Sequence, residues 1–285
     1  MVSSDAELYP DRIQTGGRMA RTLPRVLAVL VEELELTQPH VVTTGMIREL
    51  AALHQVRTEP RVLAARLRER GWLLGTSTRG VWEFAPGSHA GPYGHADPTT
   101  PLRAVLANSR DVPAALALAT AAWAHGYADR VPSRLDVAIP RGVSAPAGLR
   151  AAAAVVVFTS NIGYVRRKGV PTHRPESVLV HLATRPTAVR SWGSVLEWLP
   201  DLAADLDVDA VRAELAGRPA SVHVRTGYLM AGLRPDIAHL GSPAAGGKVW
   251  FGPRGPLLRH SATWQVADTV LPFDPVALPD ARTTA

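Results

Sequence analysis

"TTGMIRELAALHQVRTEPRVLAARLRERGWLLGTSTRGVWEFAPG", residues 43–87, decides the fold of the first part of the chain. A threonine, Thr43 or Thr44, is suited to cap a helix over "GMIRELAALHQ", because its hydroxyl can accept a bond from a free N–H of the first turn. After the break at "VRT", Thr58 is predicted to cap a second helix. That helix ends at Gly71, a typical C-terminal stop.

The residues on either side complete this first domain. Upstream, "PRVLAVLVEELEL" begins at Pro24 and places Leu27, Leu30 and Leu34 at helical spacing, which predicts a core-facing first helix. Downstream of Gly71, "WLL" and "GVWEFA" predict two strands that flank the polar tip "GTSTRG". Helix, helix, short turn, helix and hairpin is the order of a winged helix-turn-helix domain.

The helix that begins after Thr58 has one packed face and one cationic face. At 100° per residue, Leu63, Ala64 and Leu67 lie on one side, and the arginines lie on the other. The segment 57–79 holds six Arg and two Glu, a local balance of +4. Arginine can bond bidentately to guanine and can pair with phosphates. The predicted DNA contacts are Arg57, Thr58, Arg61, Ala65, Arg68, Thr76, Ser77, Thr78 and Arg79. Alternatively, these arginines only cover the surface of a small helical domain.

Composition narrows the class of protein. The 285 residues carry a net charge of +6 and include no cysteine, which excludes disulfides, thiolate zinc sites and iron–sulfur clusters. The longest apolar run, "AAAAVVVF" at residues 151–158, is too short to span a bilayer, and the N-terminus has no apolar signal core. We therefore expect a cytoplasmic protein that uses no membrane, no cofactor and no metal.

The chain divides by composition into five parts, and the predicted fold class is α+β. Residues 1–22 are predicted to be a flexible N-terminal arm, and residues 23–88 the winged helix-turn-helix domain. Residues 89–101, which are rich in Pro and Gly, are a predicted linker. Residues 102–275 form a larger mixed α+β domain, and residues 276–285 a tail.

In the second domain the pattern leaves several elements open. "DVPAALALATAAWAHGYADRV" predicts an apolar helix, whereas "RLDVAIP", "AVVVFTS" and "SVLVHLAT" are strands or buried helical turns. "SWGSVLEWLPDLAADLDVDAVRAELAG" predicts helix with one or two breaks. "ASVHVRTGYLMAGLRPDIAHL" predicts a strand-like start followed by a short helix.

A second basic segment lies in this domain, because residues 141–175 include no carboxylate. It is either a run of solvated loops or a surface that binds a DNA backbone or a partner. The candidate residues are Arg141, Arg150, Arg166, Arg167, Lys168 and Arg174.

No pattern in the sequence strongly indicates a catalytic site. Asp136 precedes a strand and could begin a metal-dependent nuclease site, but the next segment offers no second carboxylate, so a turn or strand-edge role is favoured. The histidines, including His173 and His181, are scattered without metal-ligand spacing and are expected to be satisfied structural residues. Ser160 and Ser177 lack triad spacing. No catalytic residue is predicted.

Three phrases resemble the AbiEi family of antitoxins from type IV toxin–antitoxin systems. They are "LAARLRERGWLLGTSTRGVWEFAPG", "ALATAAWAHGYADRVPSRLDVAIPRG" and "RTGYLMAGL". The resemblance covers residues 24–240. The chain departs from the family in its arm, and Trp82 stands where the family commonly has tyrosine.

The resemblance implies a protein with two parts. Its winged helix would bind inverted repeats of double-stranded DNA in the promoter of its own operon, with self-association on the DNA. Its C-terminal domain would counter a cognate nucleotidyltransferase toxin, with or without direct contact. The alternatives are a nuclease-like DNA-processing enzyme and a winged-helix protein that acts mainly through a protein partner.

Overall fold

The first helix, α1 (Arg25–Thr37), shows how the apolar pattern builds the N-terminal part of this computed structural model. The structure describes residues 23–87, 97–109, 112–242 and 247–283. Pro24 precedes the helix, as predicted, and Leu27, Leu30 and Leu34 are each 1% exposed. The predicted arm, residues 1–22, lies outside the described ranges. Within those ranges, no helix combines the length and hydropathy that a membrane span needs.

Five more elements follow α1 in the N-terminal domain. They are β1 (Val41–Thr43), α2 (Thr44–Leu53), α3 (Pro60–Glu69), β2 (Leu73–Gly75) and β3 (Val81–Phe84). The strands form an antiparallel sheet in the order β1-β3-β2. We call the β2–β3 hairpin, with its connecting turn, the wing. The sequence pattern did not predict β1, because three residues are too few to establish alternation.

The predicted threonine cap is present at the N-terminus of α2 but not at that of α3. Thr43 caps α2, since its Oγ1 accepts a hydrogen bond from the Met46 N–H at 3.1 Å. The prediction that Thr58 caps α3 is wrong. Glu59 is the N-cap, and its backbone carbonyl accepts from the N–H groups of Val62 and Leu63. Pro60 can occupy the first helical position because the N–H it lacks would have no partner there.

The C-terminal part is a mixed α+β domain, which confirms the predicted fold class. Its elements before the helical run are α4 (Thr100–Asn108), β4 (Ala115–Leu116), α5 (Leu118–His125), β5 (Leu135–Ile139), α6 (Ala147–Ala152), β6 (Ala153–Val157), β7 (Tyr164–Arg167) and β8 (Val170–His173). The helices α7 (Pro175–Thr184), α8 (Trp192–Ala204), α9 (Val208–Leu215), α10 (Ala220–Met230) and α11 (Pro235–Ala238) follow. The last strands are β9 (Val249–Phe251), β10 (Arg259–Ser261) and β11 (Val266–Asp268).

A five-stranded sheet in the order β6-β5-β4-β8-β7 divides two apolar cores. Along β5, Leu135, Val137 and Ile139 join one core with residues of α4 and α6. Ala138 joins the larger core of α5, α7, α8 and α10. Because successive strand residues point to opposite faces, this alternation means that the sheet is covered on both sides. A smaller sheet, β10-β11-β9, packs against the larger core.

Two element predictions in this domain need correction, and one that was left open is decided. The segment "SVLVHLAT", predicted to be a strand or buried helical turns, belongs to the helix α7, whose residues from Glu176 to Ala183 are all buried, so the sequence carries no amphipathic period. The segment "ASVHVRT" begins the single helix α10 and contains no strand. The predicted apolar helix at 111–131 starts instead with β4, which pairs with both β5 and β8.

Two predicted boundary segments are more ordered than expected. Of the predicted linker, residues 89–96 lie outside the described ranges, and α4 begins inside it at Thr100. The predicted tail also packs: Ala281 is 3% exposed, and its N–H donates to the carbonyl of Leu233 at 2.9 Å. The C-terminal segment is therefore part of the domain core, because its apolar side chains and backbone have partners there.

Candidate nucleic-acid interface

Helix α3 exposes the face that carries the predicted base contacts. Leu63 and Leu67 are fully buried, whereas Arg61, Ala65 and Arg68 are exposed. The packing of the buried side fixes the rotation of the helix, because leucines four residues apart lie on the same face. The exposed face therefore presents the two arginines with a small residue between them.

Five of the six arginines in residues 57–79 have side chains without partners among the described residues, whereas Arg70 donates to the Arg66 carbonyl at 3.2 Å. The side chains of Arg57, Arg61, Arg66, Arg68 and Arg79 are all exposed, and none forms an ion pair or hydrogen bond with a described residue. Thr58 is half-buried just before α3. The result is a cationic surface with little internal neutralisation.

Arginines of the C-terminal domain contrast with this surface. Arg103 pairs with Asp97 at 2.8 Å, Arg234 pairs with Asp236 at 2.9 Å, and Arg218 pairs with the buried Glu214. These guanidinium groups hold the domain together, because each also donates to backbone carbonyls. An arginine-rich composition alone therefore does not explain why the arginine side chains of α3 and the wing lack partners.

The turn of the wing uses part of its own polar groups. Thr76 Oγ1 donates to the carbonyl of Val81 at 2.8 Å and accepts from the Thr78 N–H at 3.2 Å. Thr78 is half-buried, whereas Ser77 and Arg79 are exposed. Of the four predicted contacts at the tip, these two exposed residues are therefore the ones whose side chains are open to a ligand.

The six residues of the second basic segment do not form one surface. Strand β8 runs antiparallel to β7, and through β4 it is also antiparallel to β5. Arg141 follows β5 and Arg166 to Lys168 end β7, so these residues lie at one end of the sheet. Arg174 follows β8 and lies at the opposite end. The sheet topology therefore separates Arg174 from Arg141 and from the residues that end β7.

Several of these basic groups are already engaged. Arg150 donates to the Ala145 carbonyl at 2.8 Å, and Arg166 donates to the Gly169 carbonyl at 2.9 Å. Arg167 contacts His125 Nδ1 at 3.3 Å, and Lys168 Nζ lies 4.6 Å from the centroid of the Trp123 ring. This set consequently makes a weaker case for a nucleic-acid surface than α3 does.

Asp136, the residue considered for a nuclease, forms an ion pair rather than a carboxylate cluster. Its Oδ1 lies 3.0 Å from the Arg190 guanidinium, at the wall of a cleft of about 690 Å³. Burial raises the pKa of Asp136 to about 6, against the opposing effect of Arg190. In the described ranges, no three His, Cys, Asp or Glu side chains are grouped to hold a metal ion.

A polar cluster inside the larger core was not predicted from the sequence. Glu214 is fully buried, and its Oε2 accepts from Ser160 Oγ at 2.9 Å and from Ser177 Oγ at 3.0 Å. Nearby, His173 and His181 are both fully buried, with ring centroids 6.0 Å apart. Their ring nitrogens have no hydrogen-bond partner in the described structure, so the prediction of satisfied histidines is wrong. Burial lowers the pKa of both rings.

Part of this chain matches a known antitoxin domain. Residues 114–232 match the AbiEi antitoxin C-terminal domain. The chain is also similar to the RV2827C protein of Mycobacterium tuberculosis, whose crystal structure aligns with a TM-score of 0.76 and 27% sequence identity. The alignment covers 90% of this chain and 95% of that chain. No curated protein matches in sequence. The resemblance predicted from the sequence is confirmed for residues 114–232, which match the C-terminal domain of the AbiEi family of antitoxins.

Proposed function

We propose that this protein is a DNA-binding autorepressor as well as an antitoxin. In this proposal α3 enters the major groove of an inverted repeat in the promoter of its own operon, and the wing contacts the adjacent backbone. The C-terminal domain counters a nucleotidyltransferase toxin. We expect a cytoplasmic protein without intrinsic enzymatic activity, since the matched family is one of antitoxins.

The observation that carries the DNA-binding half is the set of exposed arginines that lack partners on α3 and the wing. Arg61 and Arg68 project from the same exposed face, and Ala65 between them leaves room for a base pair to approach. Arginine bonds bidentately to the O6 and N7 of guanine, a contact worth about 1–3 kcal/mol of discrimination. Arg57 and Arg79 flank the helix at positions suited to phosphates.

A single α3 reads a short half-site, so specificity in a genome needs more than one copy of the protein on repeated half-sites. This requirement supports the part of the proposal that concerns inverted repeats and self-association on DNA. It is independent of whether the protein is a monomer in solution.

Footprinting tests the DNA-binding half. The purified full chain is incubated with the DNA upstream of its own gene at several salt concentrations, alongside Arg61→Ala/Arg68→Ala. Arg212→Ala is the matched control, because Arg212 is 60% exposed on α9, away from this surface. We expect a protected inverted repeat that the double variant loses and the control retains. Protection that weakens steeply with salt would fit phosphate contacts.

Three other outcomes of the footprinting experiment would contradict the proposal in different ways. No protection at low salt would overturn the repressor proposal, and the arginines would then serve another partner. Equal protection by wild type and the double variant would place DNA binding on a different surface. Cleavage of the DNA that requires a divalent metal would instead favour the nuclease alternative.

The antitoxin half is tested in cells. The proposed cognate nucleotidyltransferase toxin is induced with and without the full chain, and growth is followed. Rescue by wild type and by Arg61→Ala/Arg68→Ala alike would separate neutralisation from DNA binding. Failure of the wild-type chain to restore growth would contradict this half of the proposal.

A further inference from the structure

The tip of the wing rests on α6 of the C-terminal domain. A Cβ added to Gly148, in the first turn of α6, would lie 2.7 Å from the carbonyl oxygen of Ser77 and 2.9 Å from Oγ1 of Thr78. Real Cβ atoms do not approach backbone oxygen this closely, so a side chain at this position would displace the wing. Contact between the two domains at this point therefore requires glycine.

The backbone of α6 gives no other reason for this glycine. Gly148 does not have a positive φ, so any L-residue could adopt its conformation. Glycine inside a helix destabilises the fold relative to alanine. The close approach of the wing explains why that cost is accepted, since only a residue without Cβ leaves room for Ser77.

The wing is also held from the side of α2. Gly80 ends the turn with a φ of 77°, and its carbonyl accepts from the N–H of Thr44 at 3.0 Å. The Oγ1 of Thr44 donates to the same carbonyl at 3.2 Å. Arg79 thus lies between Thr78, which α6 holds in place, and Gly80, which α2 holds in place. The side chain of Arg79 itself is exposed.

Helix α4 fixes α6 relative to the N-terminal domain. It packs against β1 and β3 on one side and against α6 on the other. Asp97, just before α4, accepts from Arg103 Nε at 2.8 Å and lies 3.6 Å from His40 Nδ1, next to β1. Arg103 also donates to the carbonyl of Lys168 in the β7–β8 turn. A chain of contacts therefore joins the N-terminal sheet, through α4, to the helix α6 on which the wing rests.

We propose that Gly148 is a positioning residue for DNA recognition. Through it, the C-terminal domain holds the wing so that Arg79 reaches a phosphate on the same duplex that α3 reads. This inference rests on the proposed function, and it assigns to the antitoxin domain a role in shaping the DNA-binding surface. A residue that does not contact DNA, Gly148, would then affect DNA binding through the position of Arg79.

The test compares Gly148→Leu with Ala147→Leu, which adds the same side chain at an exposed neighbouring position of α6. Binding to the footprinted operator duplex is measured over a series of salt concentrations. Loss of one phosphate contact lowers the slope of log K against log salt by about 0.9 in magnitude. We expect that reduction for Gly148→Leu and for Arg79→Ala, and no change for Ala147→Leu.

The double variant Gly148→Leu/Arg79→Ala separates positioning from general damage. If Gly148 acts through Arg79, the double variant has the slope of either single variant, because the same contact is lost once. The base preference that depends on Arg61 should survive in Gly148→Leu. If Gly148→Leu does not fold, as shown by its thermal unfolding curve, Gly148→Ala makes the smaller displacement and is measured instead.

Two results would overturn the inference: a wild-type slope in the folded Gly148 variant, or additive losses in the double variant. Either can occur while the wild-type chain still protects its operator, in which case the proposed function stands. If the wild-type chain does not bind the operator at all, the proposed function fails and this inference fails with it.

Discussion

The Ser177 hydroxyl donates to Glu214 Oε2 across 3.0 Å, although 37 residues separate the two in sequence. The same oxygen accepts from the N–H of Asn161 at 3.0 Å, and the other carboxylate oxygen pairs with Arg218. Glu214 thereby joins α7, α9 and the loop after β6. A buried carboxylate is tolerated only when its oxygens are bonded, as they are here.

Replacing Glu214 with alanine should strongly destabilise the C-terminal domain. The change leaves the hydroxyl and N–H donors and the Arg218 guanidinium without their shared acceptor, a loss of about 3–5 kcal/mol for a broken buried pair. Chemical denaturation measures the free energy of unfolding. Arg212→Ala, which removes an exposed ion pair with Asp209, should change it by less than about 1 kcal/mol. Similar losses in the two variants would contradict the role given to the buried carboxylate.

The buried histidines should make stability fall in mildly acidic solution. Burial, with a further contribution from Arg218, lowers the pKa of His173 to about 4 from its ordinary value of 6.5. Between these values the unfolded chain binds a proton that the folded chain does not, so the free energy of unfolding decreases as pH falls from 6.5 towards 4. The slope is about 1.4 kcal/mol per pH unit for one such histidine.

His173→Phe should flatten this pH dependence, because phenylalanine does not titrate. Urea unfolding of wild type and variant at pH 7, 6 and 5 provides the comparison. His260→Phe serves as the control, since His260 is exposed on β10. An unchanged slope in His173→Phe would mean that the ring is protonated in the folded chain, contrary to its surroundings.

Arg61→Ala and Arg79→Ala should weaken DNA binding in different ways. Loss of Arg61 should relax discrimination at one base position by about 1–3 kcal/mol, because a base contact is removed. Loss of Arg79 should weaken binding to operator and random DNA to the same extent, since phosphates carry no sequence information. Competition binding with operator variants separates the two effects. Equal losses on specific and random DNA for both substitutions would refute this division.

Gly232→Ala should test whether the C-terminal segment is part of the core. An added Cβ would lie 2.7 Å from the carbonyl oxygen of Pro275, and it would also meet the backbone of Leu278. We expect a loss of about 1–3 kcal/mol, as for overpacking elsewhere, and a lower melting temperature. Gly193→Ala in α8 has only Ser191 Oγ near it, at 3.8 Å, and should leave the melting temperature unchanged or slightly higher. Equal melting temperatures for the two variants would show that the segment is loosely attached.

The sequence predicted most where the interactions are local. The first three helices and the wing follow from spacing, caps and turn residues that lie within a few positions of one another, as with Thr43 and Met46. The segment of β5 was left open between a strand and buried helical turns, because all five of its residues are buried. In α7 the burial of nearly every side chain removed the periodicity that would have identified a helix.

The candidate site was only partly predictable. The exposed arginines of α3 follow from one helical face, whereas the contact of Ser77 with Gly148 joins positions far apart in the chain. The Glu214 cluster likewise depends on tertiary packing, because its serine donors come from residues 37 and 54 positions away. No spacing rule within a single sequence relates such residues.

Helix α4 affects how this protein can evolve. Its Leu102 and Val105 belong to the core of the C-terminal domain, yet the helix also packs against β1 and β3. Recombination that joined the first domain to a foreign second domain would replace one half of this packed interface and leave the other unmatched. The two halves should therefore be inherited together. If α3 binds DNA as we propose, a change of operator should arise by substitution on α3 rather than by exchange of the whole first domain.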